Sequence, residues 1–122
     1  MRTFIILALL VGLAGCTRWS LDRHLNNAYQ AYDEGNCEEA MLELSMAERS
    51  SRSRSYMQPE ISLLRGQCLE RQSLFVDAAQ TYHFIINRYP SSEYAFRAKA
   101  RLETLERIGQ LGSAAKPSAT PL

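Results

Sequence analysis

Two segments of this chain carry the same pattern of small and large apolar residues at one fixed offset. The first has Leu25, Ala28, Ala40, Leu44 and Ala47, and the second has Leu63, Gly66, Ala78, Tyr82 and Ile85. The shared spacings of 3, 12, 4 and 3 are hard to obtain by accident. Self-similarity at a fixed period marks a chain built from copies of one supersecondary unit. Small residues at Ala28 and Ala40, and at Gly66 and Ala78, let two antiparallel helices approach closely at one crossing. The bulkier Leu44, Tyr82 and Ile85 then fill the groove beside it.

Helix boundaries agree with that pattern. After residue 20 no alternation of apolar and polar residues is long enough for a strand, and helical spacing dominates. Ser20 predicts a cap for a helix starting at Leu21, with Asp22 in its first turn. Gly35-Asn36 ends that helix, and Asn36 with Glu39 resembles a capping box for a second helix from about Cys37 to Arg49. Ser50 to Gln58, rich in serine and arginine, reads as a loop closed by Pro59 in the first turn of a third helix. That helix runs to about Gln72. Ser73 is expected to cap a fourth helix ending near Tyr89, and Ser91-Ser92 a fifth reaching about Gly109. Residues 111–122 offer no core side chains and are expected to form a disordered tail. The predicted fold class is all-α, a short helical-hairpin solenoid over residues 21–110, with about five helices forming two repeats plus a capping helix.

These residues resemble tetratricopeptide repeats, a family that repeats a helical hairpin of about 34 residues with small, aromatic and proline residues at fixed points. The second unit matches through Gly66, Phe75, Ala78, Tyr82 and Pro90. The first matches through Ala28, Tyr32, Gly35, Ala40, Leu44 and Ala47, with Arg52 where the family's proline would fall. Ala100 opens a third unit that is never completed. The stretch from Arg88-Tyr89-Pro90 to Leu105 is similar to the repeats of bacterial β-barrel assembly and Tol–Pal proteins. The resemblance implies a protein-binding module in which the first helix of each hairpin lines a concave side. That places Leu25, Tyr29, Tyr32 and Asp33 beside Leu63, Gln67, Glu70 and Arg71, with Tyr94, Arg97 and Arg101 continuing the surface. Aromatic and arginine side chains suit protein recognition. The alternative, that Tyr29 and Tyr32 finish the core, stays open.

Residues 1–16 differ in kind from the rest. Arg2 supplies a positive start, Phe4 to Leu13 is a nearly unbroken apolar run, and Leu13-Ala14-Gly15-Cys16 follows. A charged head, a short apolar core and small residues before a cut site make a secretory signal. The run falls short of the ~20 apolar residues that a spanning helix needs. Leu13-Ala14-Gly15-Cys16 resembles the lipobox of bacterial lipoproteins. That resemblance implies diacylglycerol on the Cys16 sulfur, cleavage before Cys16 and usually a third acyl chain. In the enteric pattern, Thr17 in place of aspartate after the cysteine favours the outer membrane, facing the periplasm. Residues 17–20 would then be a short tether holding the domain within ~15 Å of the bilayer, with Trp19 suited to the interface.

The chain has 14 Lys and Arg against 13 Asp and Glu, and without Arg2 the two are equal. Such a balance gives no case for nucleic acid, whose binding needs clustered basic residues, nor for a generally polybasic attachment to lipid. Arg49, Arg52 and Arg54 form a local positive patch that suits lipid phosphate, an acidic partner or an ordinary solvated loop. Cys37 and Cys68 are an even pair in an exported chain and so a disulfide candidate. Two buried thiols packing as small apolar residues are the alternative. His24 and His83 lack a second ligand at zinc spacing, and no phosphate loop or nucleophile elbow occurs. No cofactor, metal or catalytic site is expected, and the chain does not read as an enzyme. The expected role is a lipid-anchored protein-interaction adaptor in a cell-envelope complex. The alternatives are a binding regulator of a peptidoglycan enzyme and, behind it, a carrier of a small hydrophobic ligand.

Overall fold

The structure, a computed structural model, describes residues 1–111. Residues 112–122, and the side chains of residues 10–17, lie outside that description. The expected lipidation at Cys16 and nearly all of the expected tail 111–122 therefore fall outside the described residues. Among the described residues the chain is all-helical. Its six helical elements are α1 (Arg2–Asp33), α2 (Cys37–Ser50), a 3-10 turn (Ser55–Met57), α3 (Gln58–Arg71), α4 (Phe75–Arg88) and α5 (Glu93–Arg107). The count corrects the expected five. The sixth element is wound from the stretch read as a loop, where three residues are too few to show a helical period. The chain divides into two compact units, residues 1–61 and residues 62–122.

In the first unit, α1 and α2 form an antiparallel hairpin. Leu21, Leu25, Ala28 and Ala31 of α1 and Cys37, Ala40, Leu44 and Ala47 of α2 are its buried apolar residues. The Ser20 and Ser50 hydroxyls meet at 3.3 Å, and His24 Nδ1 lies 2.6 Å from Glu43 Oε2, which fixes the register of the pair. The helix starts at Arg2 and not at Leu21. The expected tether 17–20 is therefore helical, and Ser20 faces Ser50 instead of capping anything. Between the apolar run and Leu21 no proline stands to break a helix once started. No helix among the described residues is long and apolar enough to cross a membrane.

The turn that ends α1 follows from one glycine. Gly35 takes φ +80°, its N–H donates to the Tyr32 carbonyl at 3.0 Å, and the Asn36 N–H donates to the Ala31 carbonyl at 2.8 Å. This is a Schellman closure, which satisfies the helix's last carbonyls. Asn36 then caps α2, accepting the Glu39 N–H on Oδ1 at 3.1 Å and donating from Nδ2 to Glu39 Oε2 at 3.0 Å. The expected capping box is present, closed side chain to side chain.

The second unit repeats the turn with a different residue. Ser73 takes φ +61°, its N–H donates to the Glu70 carbonyl at 2.9 Å, and the Leu74 N–H donates to the Leu69 carbonyl at 2.9 Å. Ser73 therefore closes α3, and Leu74, with no side-chain cap bond, precedes α4. The expectation that Ser73 caps α4 is corrected: it holds the place in the second repeat that Gly35 holds in the first, where the chain needs a left-handed residue. Ser92 does cap α5, accepting the Ala95 N–H at 3.1 Å. The unit's core joins Leu63, Ala78, Tyr82, Ile85, Ala98 and Leu102, with Leu111 packed against it. Leu111 thus belongs to the folded part and not to the tail.

All ten repeat positions are buried, and α2 and α4 begin in the same register, at Cys37 and Phe75. The two units solve the same crossing with different volumes. A Cβ added at Gly66 would lie 2.9 Å from Cζ and 3.0 Å from Cδ1 of Tyr82, inside the space its ring occupies. The equivalent positions of the first unit hold Ala28 and Leu44, a larger residue on one helix and a smaller one on the other. Gly66→Ala is expected to cost about 1–3 kcal/mol in urea unfolding, because overpacking a core strains it. Combined with Tyr82→Leu, which rebuilds the first unit's pair, the same change is expected to be neutral or stabilising, since Ala is favoured over Gly within a helix. Equal penalties in both backgrounds would contradict the contact.

Candidate functional site

Three side chains from the three helices of the second unit converge. Tyr82 on α4 donates its phenolic hydrogen to Glu70 Oε1 on α3 at 2.5 Å. Arg101 on α5 donates from Nε to the same oxygen at 3.0 Å, and from Nη2 to Glu70 Oε2. The guanidinium thus grips both carboxylate oxygens, the strongest geometry an arginine offers a carboxylate. Burial pushes the Tyr82 phenol far above its usual value, and the hydrogen bond and charge of Glu70 push it further. Arg101 is also raised, first by its hydrogen bond to Glu70. Both keep their protons near neutrality, and the cluster ties α3, α4 and α5 together.

The remaining residues of the expected binding surface separate into three groups. Tyr29 is 36 % exposed and donates to Glu60 Oε1 at 2.8 Å. Tyr32 and Gln67 are half-buried, while Asp33 and Arg71 are exposed. Tyr94 packs partly against the core of its unit, and the Arg97 guanidinium lies 5.8 Å from the centroid of its ring. Leu25 and Leu63 are buried and offer nothing to a partner. That corrects their placement on the surface: each lies three residues before a crossing residue, which puts it on the buried stripe. Glu70 and Arg101 are engaged with each other. Cys37 and Cys68 are both buried as thiols and not as a disulfide, one in each unit.

Several exposed apolar side chains lie outside the expected surface. Leu42 and Met46 project from α2, Val76 and Phe84 from α4, and Phe96 from α5 at 78 % exposure. Phe84 packs edge-on against Tyr89, with ring centroids 6.1 Å apart. Their spacings of four and eight residues place each pair on one helix face, opposite the buried stripe, and that signal is present in the sequence. Beside the last turn of α2, Ser45, Glu48, Arg49, Arg52 and Gln58 line an open cavity of about 500 Å³. Among the described residues no three His, Cys, Asp or Glu side chains group as metal ligands would. Comparison with known proteins gives no match, whether to a family model, a curated protein or a solved structure.

The Tyr82 clamp has a pH signature. The folded unit holds on its phenol a proton that the unfolded chain releases above the ordinary value of 10.0. Its stabilisation is therefore complete below that pH and declines as the pH rises through and beyond it. In an alkaline titration, one of the six tyrosines is expected to withhold its tyrosinate absorbance until the chain unfolds, and Tyr82→Phe should remove that late step. Early, reversible ionisation of all six in the folded chain would contradict the clamp.

Proposed function

We propose that this chain is a lipid-anchored protein-interaction adaptor. In this reading a tetratricopeptide-like module is held through Cys16 at the periplasmic face of the bacterial outer membrane and retains a partner in a cell-envelope complex. The observation that carries the reading is the registered repetition. Two hairpins repeat one crossing at a fixed offset along the chain, each closed through the same left-handed turn, at Gly35 or at Ser73. Repeated helical hairpins present broad, stiff surfaces to other proteins. The side chains left outside the cores include Tyr29, Phe96 and Arg97, of the types that dominate protein interfaces. The order of Arg2, the apolar run and Leu13-Ala14-Gly15-Cys16 supports export and lipid attachment.

The test is photocrosslinking in intact envelopes, with a photoreactive residue replacing Tyr29, Arg97 or Phe84 in turn. Capture of one and the same envelope protein through Tyr29 and Arg97, on the first helix of a hairpin and on α5, and not through Phe84, is the expected result. Capture through Phe84 alone would move the interface to the outward face of α4. No capture from any of the three positions would contradict the adaptor role.

A further inference from the structure

The balanced composition hides a segregation of charge along the first hairpin. At its turn stand Asp33, Glu34, Glu38 and Glu39, with no basic residue among positions 33–39. At the opposite end, where Ser20 meets Ser50, stand Arg18, Arg23, Arg49, Arg52 and Arg54, against Asp22 and Glu48. At 1.5 Å per helical residue, the two ends are ~20 Å apart. That exceeds the ~8 Å screening length at physiological salt, so a charged surface at one end leaves the other largely unaffected.

The basic end is built and not a loose loop. Ser51 is completely buried. Its hydroxyl donates to the Glu48 carbonyl at 2.8 Å and accepts from Gln58 Nε2 at 2.6 Å. The Arg54 N–H returns to the Ser51 carbonyl at 2.7 Å, and the Met57 N–H to the Arg54 carbonyl at 3.0 Å. These bonds fold the arginine-bearing segment onto the end of α2, and the Ser20–Ser50 contact sets that end beside the turn of α1 that carries Trp19 and Arg23, whose guanidinium lies 5.5 Å from the Trp19 ring centroid. Tyr56 stands on the adjoining 3-10 turn. Trp19 and Tyr56 are each 68 % exposed, large aromatic surfaces with no core to enter.

We infer that this end of the first hairpin is a docking surface for the phosphate headgroups of an anionic bilayer. The inference rests on the membrane anchor of the proposed function, because Trp19 closely follows Cys16 in the chain and the basic end is the one nearest the lipid. Guanidinium groups match phosphate geometry, and Trp and Tyr favour the headgroup level. The acidic turn is repelled by the same surface. The hairpin therefore stands with its turn pointing away from the bilayer, an orientation that attachment through a lipid alone does not impose.

The test uses the lipidated product that begins at Cys16, reconstituted in vesicles of phosphatidylcholine alone or mixed with phosphatidylglycerol, both carrying brominated acyl chains. The reporter is Tyr56→Trp in a Trp19→Phe background, because position 56 stands on the 3-10 turn that follows Arg52 and Arg54 and not on the helix that carries the anchor. The expected result is several-fold stronger quenching of that indole in the anionic vesicles. High salt, or the triple change Arg49→Gln, Arg52→Gln and Arg54→Gln, should abolish the difference, and an indole introduced by Glu38→Trp at the acidic turn should stay unquenched. Equal quenching in both lipids, or equal quenching at positions 38 and 56, would overturn the inference. Flotation with both vesicle types but no quenching at position 56 would leave the anchor standing and remove the docking surface. Flotation and quenching with anionic vesicles only would support the surface and remove the anchor. Salt-sensitive binding of polyglutamate without quenching in either lipid would assign the arginines to an acidic protein and overturn the proposal.

Discussion

Between Gly66 and the ring of Tyr82 there is no room for a methyl group, and much of the second unit follows from that closeness. With no side chain on α3 at this point, the ring lies against the helix and is completely buried. Its hydroxyl then reaches Glu70 one turn further along α3, and Glu70 holds Arg101 of α5. A missing Cβ on one helix thereby ends as a charge-assisted bond to the third. The first unit makes the same crossing with Ala28 and Leu44, and Leu44 has no polar tip to extend the chain of contacts. There the helices are indexed instead by Ser20 with Ser50 and by His24 with Glu43.

Parts of this are legible in the sequence because single residues carry the cause. Alanine and glycine recurring at helical spacing are the direct imprint of a close crossing, and every position read from that imprint is buried. Gly35, Asn36 and Ser92 act through their own backbone freedom or side-chain oxygen, so their roles can be read locally. Ser73 cannot be read the same way. Serine before a helix signals a cap, and the sign that points the other way is indirect: Ser73 stands at the repeat offset from Gly35, the left-handed residue of the first turn. Leu25 and Leu63 lie in the cores and not on the surface that the family resemblance implies, and their spacing from Ala28 and Gly66 already marks them as core.

What stays hidden depends on more than one helix or on arrangement. The Glu70, Tyr82 and Arg101 cluster joins residues up to 31 positions apart, which no local pattern encodes. A net charge near zero conceals a hairpin with carboxylates at one end and guanidinium groups at the other, since a sum carries no positions. In the proposed role the two levels act together. Stiff crossings hold the outward aromatic and arginine side chains in place, and the polarity of the first hairpin sets which end meets the membrane.

One crossing used twice underlies both units, and hydrogen–deuterium exchange on the full chain tests that most directly. Two maxima of protection of similar shape are expected, one spanning Ala28 and Ala40 and one spanning Gly66 and Ala78, with exchange quickening toward the Gly35-Asn36 and Ser73-Leu74 turns. Protection confined to one hairpin, or centred away from the small residues, would contradict it.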